Sequence, residues 1–189
     1  MGSTFRRALF TAKFAEPKIF LSDRVNENSK ILYDRRPRDR VKKVAPWLTI
    51  DGDTYPAVVD GRVVWIVDGY TTSKHFPYSQ ARSLDEATDD SLTQGTAQVA
   101  LPTDQVNYMR NSVKAVVDAY DGTVVLYEWD SEDPILKTWK KVFPGLIKDK
   151  SEIDASMLEH MRYPTDLFKV QRDVLRRYHV TDPQTFYED

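Results

Sequence analysis

Two Asp-Gly pairs, Asp60-Gly61 and Asp121-Gly122, stand between runs of β-branched residues. A type I′ turn needs positive φ at both central positions, so Asp-Gly between such runs is a strong hairpin signal. The first pair joins residues 55–60 to a run carrying Val63, Val64, Trp65, Ile66 and Val67, and the second leads into Thr123-Val124-Val125-Leu126-Tyr127-Glu128-Trp129. Trp47-Leu48-Thr49-Ile50 is a shorter run, and Asp51-Gly52 after it reads as a further turn, making a three-strand meander. Residues 106–119 fit either period: Val106, Met109, Val113, Val116, Val117 and Tyr120 a helix face, Val113, Ala115, Val117 and Ala119 one side of a strand. The turn and the β-rich run that follow decide for strand. Strands are therefore expected at 54–60, 63–70, 112–118 and 123–129, in one antiparallel sheet. Ala57-Val58-Val59-Asp60-Gly61 is echoed by Ala115-Val116-Val117-Asp118 and Gly122. The echo is either a pair of similar hairpins side by side or a coincidence of short β-type words.

Helical signals flank this centre. Ser3 and Thr4 are cap candidates before the stripe Phe5, Leu9, Ala12 and Phe14, which Pro17 ends. Ile19, Phe20 and Leu21 form an apolar anchor, and Ser22-Asp23 reads as the cap of a following short helix. Residues 36–45 read as a helix with Pro37 in its first turn, closed by Pro46. Asp133-Pro134 caps a helix to Val142 that buries Ile135, Leu136, Trp139 and Phe143. Residues 151–161 read as another, burying Ile153, Met157, Leu158 and Met161, and a last one runs from about Tyr163 to Tyr178 with Leu167, Phe168, Val170, Val174 and Leu175 inward. Helices, strands, a polar stretch, strands and helices make an α+β chain. Its 189 residues suit one domain, residues 1–189, with one sizeable core. Within the polar stretch 71–104, residues 83–90 suggest one capped helical turn. Residues 79–101 as a whole read as a flexible loop, holding too few apolar groups to offset ordering costs of ~1–2 kcal/mol per residue.

Reactive chemistry is sparse. The chain has no cysteine, which excludes disulfides, thiol catalysis and thiolate metal sites. His75, His160 and His179 form no metal-binding pair. Asp51-Gly52-Asp53 and Asp89-Asp90 lack the further ligands of an EF-hand loop and read as turn and loop chemistry. No phosphate-binding glycine loop and no Gly-x-Ser-x-Gly elbow occur. Ser73, His75 and Asp85 supply triad residue types without a spacing that argues for a triad. No catalytic residue, metal or cofactor is assigned. A pair of catalytic carboxylates stays open, since their separation in space is not written in a sequence.

Charge is distributed unevenly. Residues 1–47 carry a net charge of +7, residues 48–133 one of −10 and residues 134–189 one of +1. Arg35, Arg36, Arg38, Arg40, Lys42 and Lys43 put six cations into nine residues. Two readings compete: a brace docked on the acidic middle, or a contact to an anionic surface. Aromatic residues are not interleaved with these cations, which argues against single-stranded nucleic acid. The longest apolar run, Val63 to Val67, is far short of a membrane span, and no signal-peptide core follows Met1, so the chain as given reads as soluble.

Several longer words are distinctive: Asp34-Arg35-Arg36-Pro37-Arg38-Asp39-Arg40-Val41-Lys42-Lys43-Val44-Ala45-Pro46-Trp47, Asp53-Thr54-Tyr55-Pro56-Ala57-Val58-Val59-Asp60-Gly61, Asp68-Gly69-Tyr70-Thr71-Thr72-Ser73, Asn107-Tyr108-Met109-Arg110-Asn111-Ser112 and Arg162-Tyr163-Pro164-Thr165-Asp166-Leu167-Phe168. Through them the chain resembles uncharacterised protein family 0182, large bacterial multi-pass membrane proteins with a big soluble region after their transmembrane helices. The resemblance covers nearly the whole chain and carries no assigned activity. It implies a soluble piece of a longer protein of the cell membrane, whose partners are the remainder of that protein and the anionic membrane surface. No nucleic acid is implied, and no protein partner is named. Positive charge near a span ordinarily marks the cytoplasmic side. The resemblance implies an outward-facing region, and domains of this length translocate largely regardless of charge, so an extracytoplasmic position is expected. Two functions follow: a non-enzymatic binding or scaffolding module, or a hydrolase or transferase acting on the envelope through carboxylates in or beside the 71–104 stretch.

Overall fold

The computed structural model describes residues 2–31, 33–89, 101–102, 104–178 and 180–188. They divide into two compact units, Met1–Arg35 and Arg36–Asp189.

The first unit holds α1 (Thr4–Phe14) and α2 (Lys18–Leu21). The Ser3 hydroxyl accepts the Arg6 N–H at 3.3 Å, and Ala15 leaves α1 in the left-handed region at φ 51°. Phe10, Phe14 and Tyr33 pack ring against ring. The short helix expected after Ser22-Asp23 instead falls before it. Ile19–Leu21 coil within α2, and Ser22 Oγ accepts the Arg24 N–H at 3.2 Å in a turn.

The second unit carries α3 (Pro37–Val44), β1 (Thr49–Val59), β2 (Arg62–Ser73), β3 (Arg82–Ser83), α4 (Leu84–Thr88), β4 (Gln105–Val106), β5 (Tyr108–Asp118) and β6 (Val124–Glu128). It continues through α5 (Pro134–Val142), β7 (Ile147–Lys148), α6 (Ala155–Leu158), α7 (Thr165–Tyr178) and α8 (Pro183–Glu188). Five strands form one sheet in the order β1-β2-β5-β6-β7, antiparallel except for the parallel pair β6–β7. The expected α+β class and the four expected strands are there. β5 is a strand from Tyr108 onward, not a helix. Residues 82–88 of the expected loop form β3 and α4, with Leu84 and Ala87 buried, while residues 90–100 lie outside the described residues.

The first Asp-Gly turn has the I′ signature, with φ 49° at Asp60 and 76° at Gly61 between the paired residues Val59 and Arg62. The second is a longer connection. The last β5–β6 pair is Val117 with Val124, and the Asp118 carboxylate accepts the N–H groups of Tyr120 and Asp121. Asp51-Gly52 is not a turn, so the three-strand meander is a two-strand hairpin. β1 runs through it with an irregularity between Ile50 and Thr54, because the Asp51 carboxylate points into the protein.

Alternation along the central strands splits the core into two faces. Val67, Val113, Ala115, Val117 and Leu126 meet α3 through Val41 and Ala45 and α5 through Leu136. Val64, Ile66 and Val116 meet Ile153 and Met157 on the other side. The single helix expected at 151–161 is two pieces, a 3₁₀ turn at Lys150–Glu152 and then α6. Extended Ile153 separates them and enters the core, leaving Leu158 44% exposed. α7 is also rotated from expectation: Phe168 is 57% and Leu175 63% exposed, while Asp166 and Lys169 are buried.

Gly122 sits at φ +74° and its position is crowded by the Arg40 guanidinium, whose Nη1 donates to the Gly122 carbonyl at 2.9 Å. Gly61, at φ +76°, has open space around it. Gly61→Ala should cost roughly 1–2 kcal/mol of backbone strain. Gly122→Ala should cost about 1 kcal/mol more, because it also displaces Arg40. Urea denaturation checks this: the excess should vanish in an Arg40→Gln background.

Candidate functional site

Toward one end of the second face, the strands replace valine by charge. Asp68 on β2 and Lys114 on β5 are register partners, both buried, and their side chains form an ion pair. Lys114 Nζ also donates to the Arg162 carbonyl at 2.7 Å and lies 5.2 Å from the Trp129 ring centre. Asn111 Nδ2 donates to Asp68 Oδ1 at 3.0 Å. Burial dominates at Asp68 and pushes its carboxyl up to about 6, against the opposing pull of Lys114.

A second group ties α7 to β1. The Tyr70 hydroxyl donates to Asp51 Oδ2, which also accepts the Asp166 N–H at 3.1 Å. Asp166 Oδ2 in return accepts the Gly52 N–H at 2.6 Å. The exchange caps the start of α7 with a strand carboxylate and explains why β1 is irregular at Asp51-Gly52. Burial, then the neighbouring Asp51 charge, pushes Asp166 up to about 6, and burial together with Asp51 pushes the Tyr70 phenol far up. Burial likewise pushes Tyr55 up to about 12, and its hydroxyl accepts the Arg162 N–H at 3.0 Å.

Asp133, fully buried at the N-terminus of α5, makes a third group. Its carboxylate accepts from Thr71 at 2.6 Å, Ser112 at 2.5 Å and Tyr108 at 2.6 Å, and from the N–H groups of Ile135 and Leu136. Burial opposes ionisation, but the hydroxyl donors outweigh it and hold this carboxyl below its ordinary range.

Two clefts open beside these groups. One, of about 580 Å³, is lined by Asn111, Arg110, Trp129, Asp130, Arg162 and Gln171 among others, of which Asn111, Trp129 and Arg162 also contact the Asp68–Lys114 pair. The other, of about 500 Å³, gathers Arg36, Arg38 and Lys42 around Trp47, Leu48 and Ile50, with Asp39 and Asp104 also lining it. The structure thus sorts the six cations. Arg38 Nη2 donates to the Ile50 carbonyl at 3.0 Å, and Arg40 holds the β5–β6 connection. Arg35, Arg36, Lys42 and Lys43 are exposed, Arg35 closing the first unit. Ser73, His75 and Asp85 do not assemble: Asp85 takes the Ser83 hydroxyl, and Ser73 Oγ accepts the His75 backbone N–H at 3.1 Å. Among the described residues no acidic or histidine group could hold a metal ion, and no helix is long and apolar enough to cross a membrane.

The profile of the Uncharacterised protein family (UPF0182) matches residues 1–189. The chain belongs to the UPF0182 family. It is 60% identical over its whole length to a UPF0182 protein of Paenarthrobacter aurescens (strain TC1), covering 19% of that protein. Identity is 57% to one from Nocardioides sp. (strain ATCC BAA-499 / JS614) and 59% to UPF0182 protein DIP0733 of Corynebacterium diphtheriae, each again covered over 19% of its length. No solved structure matches the chain. This UPF0182 region therefore spans about a fifth of the length of these relatives.

Of the buried charges, the sequence singled out Asp133 as a helix cap and Asp51 as part of a turn, but not the Asp68–Lys114 pair or the role of Asp166. The available signal was a charge inside an apolar run, Asp68 after Val63–Val67 and Lys114 between Val113 and Ala115. Replacing Lys114 by Met should cost on the order of 3–5 kcal/mol at pH 7 by leaving Asp68 buried without its partner. The loss should shrink near pH 5, where that carboxyl is protonated; chemical denaturation at the two pH values measures both. Asp166 predicts a different profile. Its raised folded-state pKa means the native state holds the proton more tightly than the unfolded chain between about 4 and 6. Relative to Asp166→Asn, the wild type should lose stability as pH rises through that window and differ by a constant above it. Melting curves at half-unit pH steps read this out.

Proposed function

We propose that this UPF0182 region is a non-catalytic binding module of a larger membrane protein, held outside the cytoplasm, and that it meets an anionic surface through α3. The observation that carries the reading is the convergence of Arg36, Arg38 and Lys42 on a cleft floored by Trp47, Leu48 and Ile50. A cationic rim over an apolar floor suits a surface that presents anionic groups above hydrocarbon. Arg38 belongs to the fold as well, through its bond to the Ile50 carbonyl. The surface contact therefore rests on Arg36 and Lys42. The membrane attachment and the outward side are supported by the family resemblance, not by any feature of the folded chain.

The competing reading, a carboxylate-based hydrolase or transferase acting on the envelope, draws on Asp51 and Asp166, one of which is raised to about 6. Their acceptor oxygens are engaged by Tyr70 and by backbone N–H groups, and neither residue lines the two clefts. Such carboxylates hold elements together and leave no position for a substrate.

Co-sedimentation with vesicles of phosphatidylglycerol and of phosphatidylcholine tests the reading. The chain should bind the anionic vesicles at low salt and release them as salt rises. Arg36→Gln with Lys42→Gln should weaken that binding about tenfold or more at unchanged melting temperature, since each cation contributes about 1 kcal/mol near an anionic surface. Equal binding by the double variant, or by neutral vesicles, would remove the surface role from α3.

A further inference from the structure

We propose that the 580 Å³ cleft beside Asn111 is a binding site for a small anionic polyol, such as a sugar acid or a polyol phosphate. The starting point is one acceptor. Asn111 is 8% exposed, and its Oδ1 is buried with no hydrogen-bond donor among the described residues in reach. Its orientation is dictated by Asp68. A carboxylate only accepts, so the Asn111 amide must turn its NH₂ toward Asp68, as it does at 3.0 Å, and its oxygen away. Buried acceptors without donors are rare in folded proteins, and a ligand hydroxyl in the cleft would supply the missing donor.

The charge of the ligand follows from the arginines. Arg110 is oriented by its Nε bond to Asp130 Oδ2 at 2.8 Å and by a side-chain hydrogen bond with Tyr108, and it presents its charge to the cleft it lines. Arg162 lies over the Tyr55 ring at 4.7 Å and lines the same cleft. Two arginines against one carboxylate leave an excess positive charge, and guanidinium forks suit carboxylate and phosphate oxygens equally. Gln171 adds a neutral donor. The Tyr163 hydroxyl donates to its Oε1 at 2.7 Å, so the amide NH₂ is left for a second ligand hydroxyl. The cleft volume falls within the range of small-molecule sites, and its lining residues Asn111 and Arg162 are held from behind by the buried Asp68–Lys114 pair. The site lies apart from α3 and does not rest on the surface reading.

Isothermal titration calorimetry of the 189-residue chain at pH 7.5 in 0.15 M NaCl tests the proposal, with glucuronate, glycerol 1-phosphate, glucose and inorganic phosphate as probes. Glucuronate, glycerol 1-phosphate or both should bind saturably at one site, and which of them does so separates a carboxylate from a phosphate ligand. Glucose and inorganic phosphate should bind at least about tenfold more weakly, each lacking one of the two features. Arg162→Gln, at an exposed side chain, should weaken binding about tenfold at unchanged melting temperature, and Asn111→Leu should weaken it as much while lowering the melting temperature, because Asp68 loses a buried donor. Where Asn111→Leu does not melt cooperatively, Arg162→Gln alone carries the test. Binding of neither polyol above glucose, equal binding of inorganic phosphate, or full affinity in Arg162→Gln overturns the assignment.

Discussion

A lysine with no solvent exposure on the central strand governs one whole face of this fold. Lys114 meets Asp68 across the β2–β5 register and the Arg162 carbonyl beyond the strands. A buried ammonium is tolerated only where its donors are matched, so the chain at Arg162 must lie against the sheet. From that point Tyr163 and Pro164 lead straight into α7. The cleft above Asn111 exists because this segment is held at the height that Lys114 sets.

α7 shows the same logic on a smaller scale. By its apolar pattern the helix should turn Phe168, Val174 and Leu175 to the sheet. Its first turn is tied instead by the reciprocal bonds between Asp51, Gly52 and Asp166, and the helix takes the rotation those bonds require. Each bond satisfies a backbone N–H that would otherwise be buried without a partner, and its loss would cost more than exposing one apolar side chain. At the other face, α5 combines the two kinds of constraint without conflict. Asp133 collects three hydroxyls and two N–H groups while Leu136 enters the core.

These anchors also separate structure from function among the charged residues. Carboxylates saturated by internal donors brace strands and helices, and Arg38 and Arg40 brace backbone carbonyls in the same way. Two groups of cations face outward: Arg36 and Lys42 at α3, Arg110 and Arg162 above Asn111. Both groups suit anionic partners, one of them broad and lipid-like, the other small and hydroxylated. Of the six-cation stretch, Arg38 and Arg40 are turned to backbone carbonyls as braces, and Arg35, Arg36, Lys42 and Lys43 are exposed.

By itself, the sequence determined the α+β class, the four central strands, the I′ turn at Asp60-Gly61, and the starts of α3 and α5. Those features depend on period-2 alternation, on glycine's access to positive φ, and on caps a few residues from the groups they satisfy. Only the tertiary structure decided that Asp51-Gly52 is an irregularity in a strand, that Ile153 splits a helix, and that α7 turns its charged side inward. It alone paired Asp68 with Lys114 and Asp51 with Asp166, over separations of 46 and 115 residues. Local propensity is written between neighbours. The partner of a buried charge is chosen by which strands and helices meet, and that choice overrode the apolar pattern wherever the two disagreed.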